Sequence, residues 1–129
     1  MFCKHCMTIV SKSSKHCSAC DKCVNHFDHH CFWLNNCVSK QNYCSFMSSV
    51  ILLLLNQLIH LCSSVISISI SFSTDRPPYI FPLRSKYFLV GVSFLSLLFS
   101  FLIALLSSNL LCFHLYLRRK RLTTYEFIT

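Results

Sequence analysis

The chain has 129 residues, 53% of them hydrophobic, and its 12 Lys and Arg against 4 Asp and Glu give a formal net charge of +8. Such a basic balance is common among nucleic-acid binding proteins. Here, however, four basic residues are adjacent as RRKR at 118–121, directly after an apolar block, and no segment has the pattern of a finger-type helix. The positions of the charges therefore argue against a nucleic-acid partner and favour a membrane.

Most of the ten cysteines lie in residues 1–46, in C-x2-C pairs interleaved with histidines. A disulfide scaffold would require a secreted chain. Cysteine pairs that alternate with histidines are instead typical of zinc sites in a reducing compartment. We therefore predict that residues 1–46 form a small, loop-rich zinc domain.

Eight residues of this domain repeat one four-ligand pattern, C-x2-C-x9-H-x6-C. The two copies are Cys3, Cys6, His16 and Cys23, then Cys17, Cys20, His30 and Cys37. Each member of the second copy lies 14 positions after its counterpart (17 − 3, 20 − 6, 30 − 16, 37 − 23). The repeat predicts two tetrahedral sites, each with three cysteines and one histidine around a structural Zn²⁺. Because the copies interleave, the two ions brace the whole domain, and we expect it to fold only with metal bound.

The segment FDHHCFWLNNC at 27–37 contains a histidine and a cysteine that the repeat leaves without metal. Cys31 lies 14 positions after Cys17, but a third copy would then need ligands at Leu34 and Ile51, which cannot bind metal. Cys31 is therefore a thiol between metal ligands with no metal of its own.

A free thiol beside a free imidazole and a carboxylate has the components of an activated nucleophile. We predict that Cys31 is the nucleophile, that His29 is its base and that Asp28 orients the imidazole. The alternative is that these three residues only support His30 as a metal ligand.

Two uncharged apolar blocks follow at 47–72 and 87–117, separated by a polar connection at 73–86 that contains the three prolines. Each block exceeds the roughly 18 residues that a helix needs to cross a bilayer. Buried helices of a soluble protein are less consistent with the sequence, because no third apolar segment is present to cover them. The alternation VISISISF at 65–72 would suit a strand in water, but an open strand edge is not satisfied in lipid, so we predict helix there.

The fold class predicted is thus an α-helical membrane protein with two transmembrane helices and a small zinc-braced domain. Polar side chains within the spans, such as Gln57 and His114, are expected to face other helices or a cavity. Five basic residues lie in 1–46 and four in the tail at 118–129, against three in the connection. The positive-inside rule therefore places both ends in the cytosol and the connection on the opposite side.

The stretches CKHC, KHCSACDKC and FDHHCFWLNNCVSKQNY closely resemble the cysteine-rich domain of the DHHC-type protein S-acyltransferases, or palmitoyltransferases. TTYE at 123–126 matches the T-T-x-E signature that follows the last membrane helix of that family. The resemblance implies that Cys31 takes a long acyl chain from acyl-CoA, such as palmitoyl-CoA, as a thioester and passes it to cysteines of membrane-associated substrate proteins.

The same resemblance implies residue roles and a location. His29 is the general base, Asp28 orients it and Thr124 helps to position the aspartate, while both zinc ions are structural. The implied location is a multi-pass protein of an endomembrane, with the ER or Golgi expected.

The match also has departures. Ser11 and Ser13 stand where the family usually has Pro-x-Arg, so Lys12 or Lys15 would have to contact CoA in place of that Arg, as a point charge. Phe32 replaces a proline, and Ser39 replaces a glycine whose conformational freedom a positive φ would require.

The family's first two membrane helices have no counterpart in these residues. A fragment, an incomplete gene model, a naturally short form and a second membrane protein that supplies helices are the alternatives. These departures motivate a second hypothesis for the function, a membrane adaptor that keeps the zinc module without catalysis.

Overall fold

The computed structural model describes residues 1–73 and 86–129. The described residues belong to two units, Met1–Ser49 with Leu111–Thr129 and Val50–Leu110. The predicted connection at 73–86 falls almost entirely outside the described residues and stays a prediction.

The cysteine-rich region consists of three antiparallel β-hairpins. They pair β1 (Phe2–Cys3) with β2 (Thr8–Ile9), β3 (Lys15–Cys17) with β4 (Lys22–Val24), and β5 (Phe27–Cys31) with β6 (Asn36–Ser39). Two-stranded hairpins of this length are marginally stable in water on their own. Additional stabilisation must therefore come from outside the strand pairing.

The turns of the three hairpins share one backbone conformation. Met7, Asp21 and Asn35 have φ values of 51°, 46° and 45°, in the left-handed region, and they are spaced by 14 positions (21 − 7, 35 − 21). The 14-residue repeat found in the metal ligands is therefore also a repeat of the backbone. In the third hairpin Leu34 occupies the position of the second cysteine in the other two.

Three helices follow: α1 (Tyr43–Ser73), α2 (Lys86–Lys120) and the short α3 (Thr124–Ile128). Helix α1 includes the alternating segment 65–72, so the prediction of helix there is confirmed. Both long helices extend beyond the predicted spans, because a polar residue ends an apolar segment without ending a helix. Each is long and apolar enough to cross a membrane by length and composition.

The apolar side chains of these helices are largely exposed, with Leu52 at 65% and Phe94 at 63%. A core helix of a soluble protein would bury such residues. The observed exposure is compatible with insertion into lipid, in agreement with the predicted fold class.

The first unit has a small mixed core. Val38 on β6 and Leu117 on α2 are each 1% exposed, and His114 on α2 is 2% exposed. Phe46 and Met47 at the start of α1 are also buried. This core holds the β5–β6 hairpin and the ends of both long helices within one unit.

In the second unit, serines join α1 to α2. Ser64 donates a hydrogen bond to Ser96 with an Oγ–Oγ distance of 3.2 Å, and the hydroxyls of Ser67 and Ser93 are 3.0 Å apart. Gln57, Ser100 and Ser107 are buried. Small polar residues are typical of helix contacts within membranes, so these contacts agree with the expectation for polar side chains in the spans.

The serine contacts make a cross-linking prediction. With Cys62 replaced by alanine, Ser67→Cys combined with Ser93→Cys should form a disulfide under mild oxidation, because the two hydroxyls are in contact. The matched control is Ser69→Cys with Ser93→Cys, since the Ser69 hydroxyl bonds to Val65 within its own helix. A mobility shift on non-reducing gels measures the outcome, and equal cross-linking of both pairs would contradict this packing.

Candidate active site and metal clusters

The structure brings the eight predicted ligands together as two separate clusters. The first contains Cys3, Cys6, His16 and Cys23, and the second contains Cys17, Cys20, His30 and Cys37. Within each cluster the potential ligand atoms all lie within 4.8 Å of one another. Each cluster could hold a metal ion.

The distances within the clusters suit a tetrahedral zinc ion. Zn–S and Zn–N bonds of about 2.3 Å and 2.0 Å give ligand–ligand edges of roughly 3.5–3.8 Å in a tetrahedron. In the second cluster, His30 Nδ1 is 3.7 Å from Cys17 Sγ and 3.4 Å from Cys20 Sγ. In the first cluster, Cys6 Sγ is 3.3 Å from His16 Nδ1, and Cys23 Sγ is 3.6 Å from Cys6 Sγ. The residues present therefore fit Zn²⁺.

The titration of the thiols also favours a cation at each cluster. Burial, followed by hydrogen bonds and repulsion from Cys20 and Cys17, raises the pKa of Cys37 to about 12. Hydrogen bonding to Cys3, then burial and Cys6, raises the pKa of Cys23 to about 12. The proximity of three sulfurs thus makes it harder to ionise the last thiol of each cluster. A divalent cation removes this cost, because it stabilises every thiolate that binds it.

Each cluster is assembled from two hairpins. His16 and Cys23 are directly opposed across β3 and β4, and His30 and Cys37 are opposed across β5 and β6. The C-x2-C pair of each cluster comes from the hairpin before. A metal at each cluster would therefore join successive hairpins, which is the stabilisation that the short strands lack.

A β-bulge sets the geometry of the segment DHHC. Phe27 pairs with Ser39 and His29 with Val38, so Asp28 is the unpaired residue of β5. Neighbouring side chains of a regular strand point to opposite faces, but a bulge changes their direction. As a result the Asp28 carboxylate reaches its own neighbour, and Asp28 Oδ2 is 2.7 Å from His29 Nδ1.

Asp28 is 5% exposed and receives hydrogen bonds from the C-terminal tail. The Thr124 amide donates to Asp28 Oδ1 at 3.0 Å, and the Thr124 hydroxyl donates to Oδ2 at 2.7 Å. Burial acts to raise the pKa of the Asp28 carboxyl, but the hydrogen bonds from His29 and Thr124 outweigh it and hold the pKa below its usual value. The carboxylate therefore stays ionised, and an ionised carboxylate favours the imidazole form that carries a proton on Nδ1.

Each of the four residues of the tail segment TTYE makes a contact that positions the tail. Thr123 is the N-cap of α3 and forms a capping box with Glu126, in which each side chain bonds the backbone N–H of the other. Tyr125 packs edge-on against Phe27 at 6.0 Å between ring centroids. Since the first amides of a helix have no partner within it, the Thr124 N–H is available to Asp28.

Cys31 is buried, at 9% exposed, at the end of β5, and in the described part of the chain it belongs to neither metal cluster. His29 and Cys31 are two positions apart on one strand, so their side chains leave the same face with Cα atoms about 7 Å apart. Asp28 contacts His29 through Nδ1, which leaves Nε2 as the ring nitrogen that Asp28 does not engage.

The tip of the third hairpin presents apolar side chains next to Cys31. Phe32, Trp33 and Leu34 are 82%, 90% and 55% exposed. Phe32 and Trp33 contact each other edge to face at 6.0 Å. In the described part of the chain, the ring contact of Trp33 is with Phe32 and not with a histidine of either metal cluster.

Two residues that the sequence did not assign to the site contact the His29 imidazole, and a third contacts one of them. Phe46 meets its edge at 5.3 Å between ring centroids, and His114 lies at 5.5 Å. Tyr43 contacts His114 through a 3.2 Å hydrogen bond. The one available signal was a titratable residue within an apolar block, which marks His114 as unusual without naming its neighbours.

Local contacts account for the departures from the family pattern. Ser39 is not among the positive-φ residues, and its buried backbone N–H donates to Asn42 Oδ1 at 2.8 Å, so a glycine is not required there. The Lys15 ammonium lies over the Tyr125 ring, 4.7 Å from its centroid, whereas Lys12 is exposed. Ser11 and Ser13 both donate hydrogen bonds to Asn25 Oδ1.

Comparison with known proteins assigns the chain to a family. The model of the DHHC palmitoyltransferase family matches residues 1–129, so the chain belongs to that family. It is 35% identical over 134 residues to the probable protein S-acyltransferase 20 of Arabidopsis thaliana and 37% identical over 132 residues to palmitoyltransferase ZDHHC15A of Danio rerio. With palmitoyltransferase ZDHHC2 of Homo sapiens it shares 32% identity over 125 residues.

These alignments cover 99%, 99% and 97% of this chain but only 19%, 37% and 32% of the respective relatives. The chain therefore spans well under half of the length of each of these relatives. What it matches is the region that contains the DHHC segment, two apolar helices and the T-T-x-E tail.

The two clusters lead to a prediction about metal content. Cys37→Ser should lose at least one of two bound zinc ions, because Cys37 Sγ is 3.3 Å from Cys20 Sγ within the second cluster. Structural zinc contributes an apparent free energy on the order of 10 kcal/mol in small zinc modules, so this variant should also become sensitive to protease. Elemental analysis of purified protein gives the stoichiometry.

The matched control is Cys31→Ser, which makes the same substitution at another buried cysteine of the same hairpin. It should retain two zinc ions per chain. Loss of zinc from Cys31→Ser, or full zinc content in Cys37→Ser, would contradict the ligand assignment.

Proposed function

We propose that this protein is a protein S-acyltransferase that carries a long acyl chain on Cys31 between acyl-CoA and cysteines of membrane-associated proteins. The observation that supports it most is the hydrogen-bonded series Thr124–Asp28–His29, which ends at an imidazole nitrogen on the same strand face as an unligated thiol. Such a series is of no use to a site that only binds zinc, since His30 already occupies the second cluster.

The reaction follows from the protonation states of these residues. Cys31 Sγ gives its proton to His29 Nε2 and attacks the carbonyl carbon of the acyl thioester. The bond from carbon to the CoA sulfur breaks, and the CoA thiolate takes the proton from His29. In the second step a substrate cysteine gives its proton to His29 and attacks the Cys31 thioester, and Cys31 leaves as the thiolate and regains that proton. Asp28 stabilises the imidazolium in both steps.

The surroundings of Cys31 suit an acyl substrate. A 16-carbon chain gains on the order of 10 kcal/mol on leaving water, so an enzyme that handles it needs an apolar environment close to the thioester. The exposed Phe32, Trp33 and Leu34 provide apolar surface directly after the nucleophile.

A basic cavity in the same unit suits the polar part of acyl-CoA. It has a volume of about 560 Å³, and its walls include Asp28 together with Lys40, Arg118 and Arg121. Phosphate groups bind well to such a set of cations. We place the CoA phosphates there in preference to Lys15, whose ammonium is engaged with an aromatic ring.

The two apolar helices would insert into an endomembrane of the ER or Golgi with the zinc domain and the tail on the cytosolic side. The basic residues at both ends favour this orientation. A reducing cytosol also keeps the cysteines of both clusters available to zinc. The protein substrates would then be proteins at the cytosolic surface of that membrane.

Formation of the thioester is the direct prediction. Zinc-loaded protein in detergent, incubated with an alkyne analogue of palmitoyl-CoA, should acquire a label that hydroxylamine removes. Cys31→Ala should abolish the label, whereas the control Cys44→Ala, which changes an exposed cysteine, should retain it. Absence of a hydroxylamine-sensitive label on protein that holds two zinc ions would contradict catalysis and favour the membrane adaptor.

The contact between the tail and Asp28 predicts that the rate of thioester formation depends on the Thr124 hydroxyl. Thr124→Val removes the donor 2.7 Å from the buried Asp28 Oδ2, whereas Thr124→Ser keeps it. A hydrogen bond to a charged group contributes about 1.5–3 kcal/mol. Because the hydrogen bond supports the carboxylate that stabilises the imidazolium in the transition state, Thr124→Val should lower the initial labelling rate roughly ten- to hundredfold.

The labelling rate of Thr124→Ser should stay within about threefold of the wild-type rate, since serine retains the hydrogen bond to the charged Asp28 carboxylate. Rates at saturating acyl-CoA, with zinc content verified for each variant, provide the measurement. Equal rates for valine and serine would show that the Thr124 hydroxyl does not serve Asp28 in the reaction.

A further inference from the structure

His114 is a buried imidazole that the proposed reaction does not use. It lies on α2 within the residues that belong to the first unit, and it is 2% exposed. A histidine is rarely buried so completely without a polar partner. The neighbours of the His114 side chain therefore identify the groups that stabilise it in this buried position.

The polar partner is Tyr43 at the start of α1. The Tyr43 hydroxyl and His114 Nδ1 are 3.2 Å apart, and the two rings meet edge to face at 5.8 Å between centroids. Phe46, one turn further along α1, packs edge-on against His114 at 5.0 Å. The contacts with Tyr43 and Phe46 leave the His114 ring little freedom to rotate.

The other neighbour of this ring is the proposed catalytic base. The ring centroids of His114 and His29 are 5.5 Å apart with an interplanar angle of 36°, and Phe46 contacts the edge of His29 as well. Asp28 fixes His29 at one atom, Nδ1, which still permits the ring to tilt about that hydrogen bond. His114 and Phe46 therefore add packing contacts to a ring that Asp28 holds at a single atom.

We propose that His114, held by Tyr43, is a positioning residue that keeps the His29 imidazole at the tilt from which Nε2 faces Cys31. The role rests on the function proposed for His29, and His114 itself exchanges no proton with the reacting atoms. A misplacement of about 1 Å in a reacting group can cost on the order of a hundredfold in rate, so ring packing of this kind has kinetic consequences.

The test measures the reactivity of the Cys31 thiol without any acyl-CoA. In zinc-loaded protein with Cys44, Cys62 and Cys112 replaced by alanine, the rate of alkylation by iodoacetamide at fixed pH reports how well His29 activates Cys31. His114→Leu should lower that rate roughly tenfold, because the leucine leaves space beside His29. Tyr43→Phe should lower the alkylation rate less than His114→Leu does. His114→Asn keeps an acceptor near the position of Nδ1, so its rate should lie between those of the wild type and His114→Leu.

Two comparisons separate positioning from general packing. In a His29→Gln background, His114→Leu should cause no further loss of reactivity, because the ring that it positions is absent. His60→Leu makes the same chemical change at an exposed histidine of α1 and should leave the rate unchanged. Elemental analysis checks that every variant retains two zinc ions.

An equal loss from His114→Leu with and without His29 would assign His114 to packing alone and overturn the proposal. So would an unchanged alkylation rate in His114→Leu. A chain that forms no acyl thioester, yet whose alkylation depends on His114 only when His29 is present, would overturn the proposed function and leave this inference standing.

Discussion

The structure of this protein depends on the requirement that three short hairpins be joined to one another. The hairpins have two-stranded sheets and few buried apolar residues, so the strand pairing alone does not hold the cysteine-rich region together. Two interleaved Cys/His clusters connect successive hairpins. Each hairpin repeats the turn of the one before. In the third hairpin Cys31 therefore occupies the position of the first cysteine of a C-x2-C pair, and Leu34 occupies the position of the second. Cys31 is thus a repeat position that, among the described residues, belongs to neither cluster.

This repeat explains how the proposed nucleophile can lie among so many potential metal ligands. His30 is directed into the second cluster by its pairing with Cys37 across β5 and β6. The bulge at Asp28 sends the neighbouring histidine in another direction and brings a carboxylate to its ring nitrogen. The tail then fixes that carboxylate from 96 positions away in sequence. In the proposed function, metal binding and proton transfer are thus separated between adjacent histidines.

Spacing alone was sufficient to predict which eight residues form the two clusters, because four Cys and His positions rarely recur at identical spacing unless they bind metal. Apolar length and the absence of charge likewise predicted both long helices. The contact between Thr124 and Asp28 was implied only by the family resemblance, since no local period connects residues so far apart. The hairpins were not predicted. Asn35 in the third is a usual residue for a left-handed turn, but the equivalent residue of the first hairpin is Met7, which is not, so the turn repeat is not evident from residue types. The packing of His114 on His29 arises only when the ends of α1 and α2 come together with β5.

Zinc K-edge X-ray absorption tests the separation of the two histidines most directly. We expect an average first shell of three sulfurs at about 2.3 Å and one nitrogen at about 2.0 Å. We also expect the same spectrum for the wild type, His29→Gln and Cys31→Ser, and a changed spectrum for His30→Gln. A changed first shell in His29→Gln or Cys31→Ser would mean that the proposed base or nucleophile binds zinc, and would contradict the catalytic interpretation.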